Sequence, residues 1–422
     1  MQKAIQYITG KIDINRDLIL LLVIGGLYSL GIFLSNTFVN VYLWKQSNDY
    51  MTIAVYNLAI YLFQPIAFVI AGKCAKKVDR IIVLRLGVIF LSLFFLSVLM
   101  IGEKSSTYNF MLGSLLGIGY GFYWLAYNVL TFEITEPETR DFFNGVFGVL
   151  QSFGGMIGPL FAGIIIAKMT ANIGYTTIFT ISFILFICAV GCSFFLNRRQ
   201  AEGNFYFKKI LRERKHNKNW KFILYAHIAQ GLREGIFLFV ITIWVFLITR
   251  SEFSLGIFNV LLYSFSFIFY LMATKFIKPK MRKQAILLGA FMLYASIYII
   301  LLNLTYFSVL IYAVVIGIAY PIINVPYVSM TYDVIGKARE AKNLRVEYIV
   351  VREVFVNIGR VVSIVTFLFS ISFFIAEDVI PILLLIFGAG HLVIYLFVRN
   401  IHLSIPHKNV LVKDQLADEK NR

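Results

Sequence analysis

Apolar runs of about twenty residues recur along this chain. That length matches one helical crossing of a bilayer whose hydrocarbon core is about 30 Å thick, at about 1.5 Å of rise per residue. Taken in order, the runs give twelve spans at 18–43, 52–71, 81–101, 109–132, 142–167, 175–196, 221–247, 254–276, 285–303, 307–332, 347–374 and 379–398. The expected fold is all-α and integral to the membrane. Composition excludes an ordinary soluble enzyme, because only 14% of the residues are charged where a soluble chain carries about 25%.

The net charge of +17 would suit a nucleic-acid binder if the basic residues formed one patch. Instead they fill the joints after even-numbered spans: Lys73, Lys76, Lys77 and Arg80, then Arg198, Arg199, Lys208, Lys209, Arg212, Arg214, Lys215 and Lys218, then Lys278, Lys280, Arg282 and Lys283. The opposite joints hold Lys45, Lys104, Lys168 and Arg250. Cytoplasmic loops are the ones enriched in Lys and Arg, so both termini are expected in the cytoplasm of a multi-pass plasma-membrane protein. Lys3, Lys11 and Arg16 mark one end, and Lys408, Lys413 and Lys420 the other. The charge is topology, and no nucleic-acid partner is expected. The first run is too long for a signal-peptide core and lacks a small-residue cleavage pattern, so it is expected to be retained. Cys74, Cys188 and Cys192 offer neither a disulfide framework nor metal spacing. With no nucleotide loop or nucleophile motif either, no metal, cofactor or enzymatic activity is expected.

The chain also repeats itself. Gly117-Ile118-Gly119-Tyr120, Tyr127 and Thr131-Phe132-Glu133 return as Gly317-Ile318-Ala319-Tyr320, Tyr327 and Thr331-Tyr332-Asp333. Gly31-Ile32-Phe33-Leu34 returns as Gly235-Ile236-Phe237-Leu238, Tyr56-Asn57-Leu58 as Phe258-Asn259-Val260, and Arg80 to Gly87 as Arg282 to Gly289. The offset of 200 to 204 residues covers six crossings. Because six is even, the two halves share one orientation about an axis along the bilayer normal. The expected division is a six-helix bundle over 1–196, a basic cytoplasmic linker over 197–220, a second bundle over 221–400 and a cytoplasmic tail over 401–422.

With two six-helix halves, a long basic central loop and a basic turn between spans 2 and 3, the chain resembles the Major Facilitator Superfamily, of bacterial type, over nearly its whole length. The resemblance implies two pseudo-symmetric bundles embedded in lipid as a monomer, alternating access, and a cavity lined by spans 1, 4, 7 and 10. The family's most recognisable motif is a Gly, then an Asp-Arg pair and further basic residues, between spans 2 and 3, and it latches the halves together. Here the loop runs Gly72-Lys73-Cys74-Ala75-Lys76-Lys77-Val78-Asp79-Arg80, with Lys76 where the family's Asp is expected. The displaced pair Asp79 and Arg80 reads equally as a moved latch or a solvated loop. Glu133 and Asp333, the repeat-related acids ending spans 4 and 10, are expected to meet Arg140 and Arg339 in gating or structural contacts.

An ionisable group near the bilayer centre costs at least about 2.5–3.5 kcal/mol and so usually faces a bundle interior or a water path. In span 7, His227, Gln230 and Glu234 share one stripe, with Arg233 about 100° away. Glu234 reads as a protonatable coupling group, with His227 and Gln230 lining the path and Arg233 compensating its charge, or as half of a structural pair. In span 11, Arg345 and Glu347 are expected at the cytoplasmic surface. Glu353, Asn357 and Arg360 share a stripe, but two turns, about 10 Å, separate Glu353 from Arg360, so each needs a partner on another helix. Arg360 reads as a receptor for an anionic substrate group, which guanidinium suits, or as a brace.

Spans 4 and 10 carry matching stripes, Tyr120, Trp124, Tyr127 and Thr131 against Tyr320, Asn324, Tyr327 and Thr331. Any one member can be a packing residue; the repeat of the stripe, with Asn128 nearby, points to cavity lining. Pro321 and Pro326 allow span 10 to bend, and span 1 adds Tyr28, Ser35 and Asn36. The leading expectation is an ion-coupled secondary transporter, proton-driven, symporter or antiporter, that moves a small solute or drug. A lipid or glycolipid flippase of the same architecture and a non-transporting scaffold are the alternatives.

Overall fold

A computed structural model describes residues 15–134, 137–198, 203–341 and 343–402. Lys3, Lys11, Arg199, the tail from 403 with Lys408, Lys413 and Lys420, and the side chain of Arg140 lie outside the described residues. Those described contain twelve spans long and apolar enough to cross a membrane, and no strand. The first six are α1 (Arg16–Ser47), α2 (Tyr50–Lys77), α3 (Arg80–Ile101), α4 (Asn109–Ile134), α5 (Pro137–Lys168) and α6 (Ala171–Ser193). After a short α7 (Phe207–Glu213) come α8 (Lys218–Thr249), α9 (Glu252–Phe276), α10 (Arg282–Leu302), α11 (Tyr306–Gly336), α12 (Arg345–Phe373) and a last span in two pieces, α13 (Ala376–Gly388) and α14 (Gly390–Val398).

The repeat is visible in the backbone. Span 1 ends on Asn48 (φ 53°) and span 7 on Arg250 (φ 50°), both left-handed. Each is followed by a side chain that caps the next helix, Asp49 accepting from Met51 N and Ser251 from Ser254 N. The repeated glycines are also explained. A Cβ on Gly87 would lie 2.4 Å from the Tyr123 backbone and one on Gly289 2.8 Å from Ile323 N, so each lets the third helix of its half touch the fourth. Small residues at crossings are how membrane helices gain contact when lipid supplies no hydrophobic drive.

Two details depart from the sequence reading. The basic linker contains α7, which docks through buried Ile210, whose carbonyl accepts from Trp220 Nε1 at 3.3 Å. Span 12 is interrupted at Ala389, between Gly388 and Gly390, which sit against Ile297 and the Ala229 carbonyl, where Cβ atoms would fall at 2.2 and 2.4 Å.

Within the first half, α4 packs on α2 and α3, and α1 on α5 and α6; the second half repeats this with α11 on α9 and α10, and α8 on α12 and α14. Between the halves, α5 packs on α9 and α2 on α12. The face bearing α7 is the linker face, and the opposite one the far face.

Candidate functional site

Between the halves, about half-way along the helices, lies a cavity of about 800 Å³, within the usual range for small-molecule sites. Its charged wall is set by how α8 crosses α12. A Cβ on Gly231 would stand 2.0 Å from the Val356 carbonyl and one on Gly359 2.1 Å from that of Ile228, so the two backbones touch. This contact delivers Glu234 to Arg360. Glu234 Oε2 accepts from Arg360 Nη2 at 2.6 Å and Nε at 3.1 Å, while Oε1 accepts from Gln230 Nε2 at 2.8 Å. Arg360 also donates to Asn357 Oδ1 at 3.3 Å and lies 4.9 Å over the ring of Tyr61, which belongs to the other half.

Arg360 therefore stands where Arg233 was expected, as the cation beside Glu234. Arg360, not Arg233, compensates Glu234, because α12 crosses on the side of α8 that carries the Glu234 stripe. Arg233 is 5% exposed and packs 4.4 Å from the ring of Phe237, with Tyr312 beside it. Its Nε and Nη2 have no hydrogen-bond partner, and no carboxylate among the described residues pairs with it.

Other expected site residues separate into two groups. Asn36, Tyr120 and Tyr320 join Arg233, Glu234 and Arg360 in the wall. His227 instead turns to the Ile223 carbonyl, 2.8 Å from its Nδ1, and its ring lies 4.9 Å from that of Tyr327. Tyr28 stacks on Tyr123 at 3.9 Å with Trp124 at its edge, and Tyr127 donates to the Leu21 carbonyl. Asn324 donates to Tyr270, and Asn128 is half-buried outside the wall. Only the first member of each aromatic stripe reaches the cavity, since the later members point toward the inside of their own half. Glu353 pairs with its chain neighbour Arg352, and among the described residues no ion pair joins it to another helix, whereas Arg360 has one.

Spans 2, 5, 8 and 11 contribute to the wall as well as 1, 4, 7 and 10. Sequence reasoning passed over Asn57 and Asn259, although the repeat had matched them; both line the cavity. Gln151 on α5 and Tyr263 and Tyr270 on α9 carried no comparable signal. Among the described residues no three His, Cys, Asp or Glu side chains gather to hold a metal.

Each face has a closure. At the far face Lys45 of α1 pairs with Glu252 of α9 at 2.8 Å, and the Tyr175 hydroxyl donates to the same oxygen at 2.9 Å. At the linker face Lys76 of α2 reaches Glu347 of α12 at 3.4 Å and donates to the Asn343 carbonyl at 2.7 Å. Glu347 is not on the surface as expected: it is fully buried under the linker, where Tyr206 N donates to it. Gly72 lets this corner close, its missing Cβ leaving room for Phe205 and Val350. Lys209 donates to both Glu340 oxygens, which, with Arg339 near, holds that carboxyl below its ordinary range.

The other gating expectations are redirected. Asp79 caps α3, accepting from Ile81 N at 2.7 Å. Glu133 meets Arg80, while the side chain of its expected partner Arg140 lies outside the described residues; Asp333 meets Arg282 at 2.6 Å in place of Arg339. These are repeat-related pairs: the basic residue opening the third helix of each half ties to the acid near the end of the fourth. Arg339 lies 3.6 Å from Glu340.

The sequence profile described as Major Facilitator Superfamily matches residues 21–377. The chain belongs to this superfamily. Its fold is that of transporters in the superfamily. A POT family transporter in complex with 5-aminolevulinic acid superposes with a TM-score of 0.69 at 11% identity, over 93% of this chain and 97% of that one. The human organic anion transporter MFSD10 (TETRAN) gives 0.65 at 12%, over 91% and 99%. Relatives by sequence are bacterial. Uncharacterized protein YqgE of Bacillus subtilis is 54% identical over 395 residues, 93% of this chain and 92% of that protein. The proton-coupled antiporter flippase LtaA of Staphylococcus aureus is 33% identical over 88 residues, 21% of this chain and 22% of its own length.

Proposed function

We propose that this superfamily member is a proton-coupled secondary transporter working by alternating access, placed as a monomer in the plasma membrane with its linker face in the cytoplasm. The observation that carries this reading is an ion pair between the halves at each face, Lys45 with Glu252 and Lys76 with Glu347, on either side of a central cavity. A site that opens to one side at a time needs two closures broken in turn. Glu234 suits the coupling role because its proton would compete directly with Arg360, and Arg360 touches Tyr61 of the other half. A proton taken up there is thereby felt across the interface.

The test uses full-length protein in liposomes with Cys74, Cys188 and Cys192 replaced by Ser and spin-label pairs placed across each face. Moving from mildly alkaline to mildly acidic buffer is expected to lengthen one distance as the other shortens, and Glu234→Gln is expected to hold one pattern at every pH. Distances that stay fixed or change together overturn the reading.

A further inference from the structure

The cavity is asymmetric in charge and in shape. Its charged wall holds two guanidiniums, Arg233 and Arg360, and one carboxylate, Glu234. Both oxygens of that carboxylate are engaged, by Arg360 and Gln230. Arg233 is left with two buried, unpartnered nitrogens in the wall. A buried guanidinium without a counter-charge is expensive, and its planar fork matches a phosphate or carboxylate. An anionic group entering here would supply what the protein withholds.

The shape points to the rest of the molecule. Toward the far face α5 and α9 pack closely: a Cβ on Gly155 would meet the Tyr263 ring at 2.7 Å, and one on Gly163 the Glu252 carbonyl at 2.7 Å. Toward the linker face they part. Gly148 has nothing within 4 Å of where its Cβ would be. Cavity-lining Val149 and Leu271 are 48% and 58% exposed. The wall follows α9 from Phe258 to Thr274, about 24 Å at about 1.5 Å per residue, and α9 is the least buried span of the twelve. The charged centre thus continues into a largely apolar cleft between α5 and α9, two helices long and apolar enough to cross a membrane.

We propose that the cavity takes an anionic amphiphile, its phosphate or carboxylate paired with Arg233 and its hydrocarbon part lying in the cleft between the linker-side halves of α5 and α9. This rests on the transporter reading only for the claim that the ligand is moved; binding is tested separately. Purified full-length protein in neutral detergent is titrated with dioctanoyl phosphatidic acid, N-decanoyl glycine, glycerol 3-phosphate and dioctanoylglycerol, and tryptophan fluorescence and thermal shift are read. At least one of the two anionic amphiphiles is expected to bind at least about tenfold more tightly than either half-molecule. Arg233→Gln should abolish that advantage and Arg233→Lys retain part of it, while Val149→Trp, which fills the cleft, should weaken the amphiphile and leave the melting temperature of the free protein unchanged. Glycerol 3-phosphate binding as well as the amphiphiles overturns the tail assignment. Dioctanoylglycerol binding as well as they do overturns the anion assignment, and so does an unchanged advantage in Arg233→Gln. In liposomes, binding that Arg233→Gln removes but no translocation of a fluorescent analogue would overturn transport and leave this inference standing.

Discussion

Arg233 and Arg360 show how little separates a structural cation from a free one. Arg233 is buried and Arg360 half-buried in the same region, yet Glu234 can serve one, and the crossing of α8 with α12 selects Arg360. Removing one member of such a buried pair leaves an uncompensated charge, a loss of about 3–5 kcal/mol, whereas replacing both with apolar residues is often nearly neutral. Arg360→Leu is therefore expected to lower thermal stability in detergent sharply, and Glu234→Leu with Arg360→Leu to restore most of it. A double variant as unstable as the single one would show that Arg360 is held by something other than Glu234. The angular spacing along span 7 was enough to separate Arg233 from the Glu234 stripe; which stripe faced span 11 was not readable, because it depends on a contact between residues more than a hundred positions apart.

At the scale of helices, the site depends on two backbones that touch. Gly231 and Gly359 meet across α8 and α12, and Gly235 lies against Ser363 one turn further on. Any side chain at Gly359 forces the helices apart, and overpacking of this kind costs about 1–3 kcal/mol or more. Gly359→Leu should thus both destabilise the protein and separate Glu234 from Arg360, lowering the melting temperature by more than Gly148→Leu, which faces open space. Equal effects from the two substitutions would show that the crossing is not close-packed. The repeat flagged Gly235, Gly87 and Gly289 as recurring letters, and their purpose became visible only as distances between helices. Tyr127 and Trp124 fell outside the wall for a related reason: a stripe at helical spacing covers an arc of the helix, and neighbours decide which part of that arc meets the cavity.

For the whole molecule, the two ion pairs between the halves lie on either side of the cavity. Lys76→Glu, which turns the linker-face attraction with Glu347 into repulsion, is expected to widen the linker face in spin-label distance measurements, and adding Glu347→Lys to narrow it again. Lys45→Glu is expected to widen the far face. Both reversals widening the same face would contradict the assignment of one closure to each. Lys76 stands where the family's Asp is expected and meets Glu347 of the other half; the partner of this loop residue lies on a helix that the loop's own sequence does not mention.

Hydropathy, loop charge and the 200-residue offset were sufficient by themselves for the crossings, the two halves and the superfamily, because each is a property of consecutive residues or of a fixed spacing, and the bilayer imposes both. The partner of Glu234, the isolation of Arg233, the cleft between α5 and α9, and the closures at the two faces were decided only in the tertiary structure. Each depends on the rotation and close approach of helices from distant parts of the chain, set by where glycine leaves room and where a facing side chain does not.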